Sequence, residues 1–411
     1  MKNNKNIIVF ITVLLFLGMF IGNYGNYQLS AVPGSVYQAY SLTDMQFSSI
    51  MTAPMFPSIF LSIVIGILVD RFGISKMVSI CFIVAAAGFV VRVFAADYMS
   101  MFIAMAMTGV GCMILNANLA KIVSALYPME KVGTVVGILM AGSTGSMAVA
   151  YATTALFPTL ELAFWTAAAV SIAVAVLWLL VVREKHFTGS GAMQAGETVP
   201  VGKALGTCLK SRNIWLAGIS LMFLLGGATV ISNFQVTALT GLKGYSEAFA
   251  GTFGTVLMIG SIIGSIFIPV LVGKLGRKVP VMLLLCGLIA SACMVGIITL
   301  PAAGIYVTRF LNGALRSGII AVMMSLPVMF PEIGPKYAGT AGGLAVTLEL
   351  LGAVIIPTYI IVPLGGGNVS NYFYLGCGCM VIASLICFVM AKTCGVYAKN
   401  KIGNCETRSQ S

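Results

Sequence analysis

The chain has 411 residues, 59% of them hydrophobic and only 8% charged, and its 23 lysines and arginines outnumber 11 acids for a formal net charge of +12. A soluble domain carries about 25% charged residues, so an ordinary water-soluble enzyme or carrier is excluded. The mean hydropathy of +1.03 points instead to a chain that lives in a bilayer.

A spanning helix needs roughly 20 mostly apolar residues. Runs of that kind are predicted at 7–31, 46–69, 77–96, 99–126, 132–156, 160–182, 213–240, 249–272, 279–300, 303–327, 338–362 and 371–392. They make twelve spans, six per half, of an all-α membrane protein. Strands are excluded because the runs are too long and lack a two-residue alternation. Lys2 and Lys5 ahead of an apolar run give the N-terminus the look of a signal peptide. That run continues into Asn23-Tyr24-Gly25-Asn26-Tyr27-Gln28, so it is expected to be kept as the first helix.

Lys2, Lys5, Arg71, Lys76, Lys131, Arg183, Lys185, Lys203, Lys210, Arg212, Lys274, Arg277, Lys278 and Lys336 fall on one expected side, as do Lys392, Lys399, Lys401 and Arg408. The opposite loops are expected to hold Arg92 and Lys243, with Asp44, Asp97, Glu161 and Glu247. This asymmetry places both termini in the cytoplasm of a multi-pass protein of the plasma (inner) membrane. The basic excess is then a topology signal, and no nucleic-acid partner is expected. Cys81, Cys112, Cys286, Cys293, Cys377, Cys379 and Cys387 lie inside apolar runs, where cysteine acts as a small hydrophobe. With His186 in the central loop as the only histidine, neither a metal nor a cofactor is expected.

The chain repeats itself. Asp70-Arg71-Phe72-Gly73 and Gly273-Lys274-Leu275-Gly276 stand 203 residues apart, as do Asp44 and Glu247, and Pro128 and Pro331. Asn26-Tyr27-Gln28 is echoed by Asn233-Phe234-Gln235 at a slightly different offset. The polar stretch 183–212, centred on Gly189-Ser190-Gly191, reads as a flexible cytoplasmic linker between helical bundles at 1–182 and 213–395, with a cytoplasmic tail at 396–411. Repeated halves are the usual build of secondary transporters.

With those spans and halves, the segment Gly66-Ile67-Leu68-Val69-Asp70-Arg71-Phe72-Gly73-Ile74-Ser75-Lys76 resembles the signature of the major facilitator superfamily. That pattern is glycine, three residues, Asp-Arg, any residue, glycine, then two basic residues. Here Ile74 and Ser75 stand at the basic pair and Lys76 follows; the second copy keeps Gly276, Arg277 and Lys278. The resemblance implies two pseudo-symmetric six-helix bundles and alternating access. It makes Gly66, Asp70, Arg71, Gly73, Gly276, Arg277 and Lys278 a gating motif that latches one conformation. In drug-exporting branches the fifth span carries Gly-Pro, whereas Gly137 to Gly145 contain no proline. The stretch Asn116 to Gly137, with Asn118, Lys121, Tyr127-Pro128 and Gly133, is similar to cyanate- and nitrate-type permeases.

Ionisable groups at mid-membrane are costly, roughly 2.5–3.5 kcal/mol each, and are functional candidates by default. Arg316 and Glu349 sit near the middles of the tenth and eleventh expected spans. Arg309 lies two turns before Arg316, about 10 Å along the axis, and Asn312 shares that face. Two guanidiniums on one route suit an anion, whose oxygens the planar fork holds bidentately. Arg309, Asn312 and Arg316 are therefore candidate substrate ligands, and Glu349 is a candidate coupling group. The alternative is an Arg316–Glu349 ion pair that only holds two spans together. Asn26, Tyr27, Asn233 and Gln235 are further candidates, because the first helix of each half lines the cavity in the resembled family.

The expected function is secondary active transport of a small anion, an organic carboxylate or a small inorganic anion, coupled to protons or working by exchange. Export of amphipathic or neutral compounds is the rival. An enzyme lacks a nucleophile–base pair, and no phosphate-binding glycine loop indicates ATP drive. The expected partners are the cargo and the lipid bilayer, with one chain sufficient for transport.

Overall fold

The computed structural model describes residues 2–187, 201–275, 278–330 and 332–394. Every regular element among them is helical: α1 (Lys2–Ala31), α2 (Pro33–Tyr40), α3 (Asp44–Thr52), α4 (Phe56–Phe72), α5 (Ile74–Val93), α6 (Tyr98–Leu126), α7 (Met129–Thr153), α8 (Leu160–Val181), α9 (Val201–Lys210), α10 (Arg212–Lys243), α11 (Glu247–Leu275), α12 (Val279–Thr299), α13 (Ala302–Ser325), α14 (Gly334–Ile355), α15 (Val362–Gly365) and α16 (Val369–Thr393). Hydrocarbon offers backbone groups no water, so apolar runs of this length satisfy them internally as helices.

Ten helices among the described residues are long and apolar enough to cross a membrane. Two of the expected spans are not among them. The run 46–69 is divided into α3 and α4 by a tight turn at Ala53–Met55, where Pro54 and Pro57 remove backbone donors. A methyl on Gly109 of α6 would collide with the Pro54 carbonyl, so α6 packs directly on this break. The run 303–327 is the unbroken helix α13, which carries Arg309, Asn312 and Arg316. The polar segment after α8 also holds ordered structure, a short turn at Glu184–Phe187 and the helix α9.

The chain divides into two compact units. The first takes the described residues up to 187 together with Ser232–Thr255, the adjoining ends of α10 and α11. Within it α1 packs on α7 and α8, and α5 on α6 and α8. Its core gathers Leu14, Phe82, Ile114, Ile122 and Trp178, and the Trp178 indole N–H donates to the Ser75 carbonyl at 3.2 Å.

The second unit takes residues 201–231 and the chain from Val256 onward. Here α12 packs on α13 and α16. A glycine seam brings α11 and α13 together: methyl groups on Gly260 and Gly264 would strike the carbonyls of Phe310 and Ala314, and one on Gly313 would strike that of Leu257. Gly260 and Gly264 are therefore points of close helix contact. At Gly133, Gly137 and Gly343 an added methyl meets nothing within 4 Å among the described residues. Small residues permit close approach but do not compel it. After α14 the helix widens through Ile356–Ile361, at Pro357, before α15.

Candidate functional site

With one side of α13 pressed against α11, its polar face turns elsewhere. Arg309 is fully buried, and its Nη2 donates to the carbonyls of Cys293 at 2.7 Å and Met294 at 2.8 Å on α12. Asn312, also fully buried, donates from Nδ2 to the Ala290 carbonyl at 2.7 Å. Both residues thus bind the backbone of one stretch of α12. Arg309 Nε and Nη1 and Asn312 Oδ1 are buried without a hydrogen-bond partner among the described residues.

Arg316, two turns further along α13, is 7% exposed, and Glu349 on α14 is 8% exposed. The two act on each other electrostatically, as do Arg309 and Arg316. α14 is held in place by close packing on α10: a methyl on Gly352 would strike the Met222 carbonyl, and one on Gly226 would meet the Gly352 carbonyl at 2.8 Å. Among the described residues of the second unit, the buried charges are therefore two guanidiniums and one carboxylate.

The first unit holds the other candidates. Asn26 is buried, and its Oδ1 has no hydrogen-bond partner among the described residues. Tyr27 is half-buried, its hydroxyl 3.3 Å from Ser232 Oγ and its ring edge-on to Tyr151 at 5.6 Å. Asn233 donates from Nδ2 to Ser48 Oγ at 2.9 Å. Gln235 is fully buried, and neither amide atom has a hydrogen-bond partner among the described residues. Beside them the Ser232 carbonyl accepts from the hydroxyls of Ser30 and, at 3.2 Å, Tyr151.

Arg92 corrects an expectation. The charge pattern places it in a loop, but it is fully buried in the last turn of α5. Its guanidinium donates to the Gly25 carbonyl and, at 2.7 Å, to Gln28 Oε1. It also lies over the rings of Phe164 at 4.2 Å and Phe89 at 5.0 Å. Gln28 Nε2 in turn donates to the Ala163 carbonyl at 2.8 Å, so α1, α5 and α8 are joined through one cation. Carbonyl oxygens and ring faces replace the water this charge gives up.

Of the motif residues, Gly66 and Asp70 lie along α4, and Arg71 is exposed at its end. Gly73 turns the chain with φ of 90°, a conformation that favours glycine, and Gly276 and Arg277 lie outside the described residues. Lys278 is exposed at the start of α12. The turn has a partner that sequence reasoning missed. Glu184 accepts hydrogen bonds from the backbone N–H groups of Ile74 at 3.0 Å and Ser75 at 2.8 Å. It thereby occupies the N-terminus of α5, where negative charge is favoured. The second unit has a comparable contact: Glu332 accepts from Ser211 Oγ and Asn213 Nδ2, both at 2.8 Å. Burial pushes the Glu332 carboxyl up, but these hydrogen bonds and one from its own backbone outweigh it and hold it below the usual value.

Residues 8–357 match the family model of the Major Facilitator Superfamily. The chain is 24% identical over 365 residues to the 3-(3-hydroxy-phenyl)propionate transporter of Escherichia coli (strain K12), a match that covers 87% of each protein. Its fold is similar to that of the nucleoside transporter NupG, with a TM-score of 0.73 at 15% identity, covering 94% of this chain and 99% of that one. It is also similar to a bacterial homologue of the human lysosomal transporter Spinster in an inward-facing and occupied conformation, with a TM-score of 0.72 at 15% identity over 96% and 98% of the two chains. The chain therefore belongs to the Major Facilitator Superfamily, a multi-pass membrane protein that acts by alternating-access secondary transport and not by catalysis.

Proposed function

We propose that the chain carries a small anion, an organic carboxylate or a small inorganic anion, with Arg316 as its anchor and Glu349 as the group through which a proton or an exchanged anion is coupled. One observation carries this reading: among its described residues, the second unit buries two guanidiniums against a single carboxylate. Buried charge is costly unless compensated, and an anionic cargo supplies the missing negative charge. The similar protein from Escherichia coli is named for a propionate, which bears a carboxylate. The likeness of Asn116 to Gly137 to cyanate- and nitrate-type permeases points the same way. Asn26, Tyr27, Asn233 and Gln235 serve in this reading as uncharged ligands, and the motif from Gly66 to Gly73 with Gly276 to Lys278 as the gate.

The reading includes twelve spans in two six-helix bundles at 1–182 and 213–395, joined by 183–212, with a tail at 396–411 and both termini in the cytoplasm. A single chain in the plasma membrane suffices. The rival is an exporter of amphipathic or neutral compounds in which Arg316 and Glu349 only pair, and their mutual electrostatic influence favours it. Flux in proteoliposomes separates the two. A panel of small anions, with and without a pH step, is expected to reveal uptake that simple anions inhibit and Arg316→Ala abolishes. Dye transport that survives Arg316→Ala and ignores anions establishes the rival.

A further inference from the structure

Arg309 is the most enclosed charge among the described residues of the second unit. It is 0% exposed, and α12 carbonyls take both hydrogen bonds from its Nη2. Neutral carbonyls fix the guanidinium in place but leave its charge standing. Its electrostatic neighbours are the Cys293 thiol and Arg316, and the latter repels it. A side chain anchored in this way into a neighbouring helix has no freedom to reach a ligand. Its field still extends along α13 to Arg316, about 10 Å away by helix geometry.

Resting on the anion reading above, we infer that Arg309 never touches the cargo but sets the charge that the Arg316–Glu349 site accepts, and that the cargo is therefore a monoanion. Before Glu349 takes up a coupled proton, Arg309, Arg316 and the ionised carboxylate leave one uncompensated positive charge. A monoanion cancels it, an uncharged molecule leaves it standing, and a dianion overshoots it. In a medium that solvates charge poorly, the neutral sum is favoured. A unit charge at about 10 Å through an effective dielectric of about 20 changes the binding of a monoanion roughly tenfold. The same charge leaves an uncharged analogue unaffected. Arg309 is thus a positioning residue for charge: Asn312 and the α12 carbonyls hold it, and Arg316 does the binding.

The experiment measures KM and maximal rate in proteoliposomes for 3-phenylpropionate, its uncharged amide and the dicarboxylate phenylsuccinate. The wild type is expected to prefer 3-phenylpropionate to both of the others. If wild type treats acid and amide alike, the anion reading itself falls, a result distinct from failure of the inference. Given a wild-type preference for the acid, Arg309→Gln is expected to raise the KM for 3-phenylpropionate roughly tenfold and leave the amide unchanged. Arg309→Lys is expected to keep the preference. An equal loss for acid and amide in Arg309→Gln, or no loss for either, overturns the inference. Should Arg309→Gln fail to fold, Arg309→Lys decides: a retained acid-to-amide ratio supports a role of charge, and a lost ratio overturns it.

Discussion

The carboxylate of Glu184 closes the backbone of Ser75, accepting its N–H at 2.8 Å across 109 residues of chain. The segment after α8 is thereby fastened to the turn that begins α5, and a methyl on Gly73 would run into the same carboxylate. Removing a charged cap costs about 1 kcal/mol. Glu184→Ala is expected to lower thermal stability in detergent by that much and to speed proteolysis near residue 184. Gly73→Ala is expected to cost more, because it adds positive-φ strain to the collision. An unchanged melting curve in both variants would remove this clamp from the account.

Arg92 joins three helices without a carboxylate partner among the described residues. Arg92→Ala deletes hydrogen bonds from a charged donor and the ring contacts together, and leaves Gln28 Oε1 unpaired. The expected loss is about 3 kcal/mol, read as a lower unfolding temperature in detergent. Arg92→Lys is expected to recover only part of it, because an ammonium lacks the fork that reaches the Gly25 carbonyl and Gln28 at once.

Glycine packing gives a paired test. Gly264→Ala forces a methyl into the Ala314 carbonyl and is expected to cost about 1–3 kcal/mol and impair transport. Gly137→Ala, with open space around the added methyl, is expected to match wild type or exceed it in stability. Equal effects in the two variants would contradict the seam described between α11 and α13.

Asp97 caps α6 outside the spans. Hydrogen bonds from the backbone N–H and the hydroxyl of Ser100 hold its carboxyl below the ordinary 3.8. A carboxyl held low in the folded state stabilises it above the unfolded value, and that help fades as pH falls through the folded value. The gap in unfolding temperature between wild type and Asp97→Asn is therefore expected to be present at about pH 6 and to shrink at about pH 3. A gap that widens in acid has the wrong sign.

Glu349, buried beside Arg316, carries the coupling hypothesis. For one coupled proton, a unit pH step is worth about tenfold in accumulation. Glu349→Gln is expected to lose that factor while exchange of external for internal substrate continues. Accumulation that still follows the pH step in Glu349→Gln excludes Glu349 as the proton carrier.

Long apolar runs made the helices legible because in a bilayer a run of that length has little choice but to be helical. The shared face of Arg309, Asn312 and Arg316 followed from helical periodicity alone. Which neighbour each group meets did not follow. Arg309 and Asn312 answer to backbone carbonyls of α12, and carbonyls leave no mark in a sequence. Arg92 was misplaced because it sits at the end of an apolar run, where a cation is ordinarily read as solvated. Gln28, its partner, belongs to the repeated Asn-aromatic-Gln triplet, and that repetition was the one available signal. Glu184 carries no sequence signature because its partners are amide hydrogens, which every non-proline residue carries.

The widened turn at Ile356–Ile361 has its own effect on how the following residues face. Counting from Glu349 with an ordinary helical repeat puts Ile360 back on the inward side, yet Ile360 is 43% exposed and Ile361 only 1%. The rotation has slipped by one residue, about 100° of helix. Deleting one residue inside that turn would reset the phase and rotate α15 by about 100°, turning buried Val362 off its present face and already exposed Leu364 with it, so the length of this segment is under tighter constraint than the identity of its side chains.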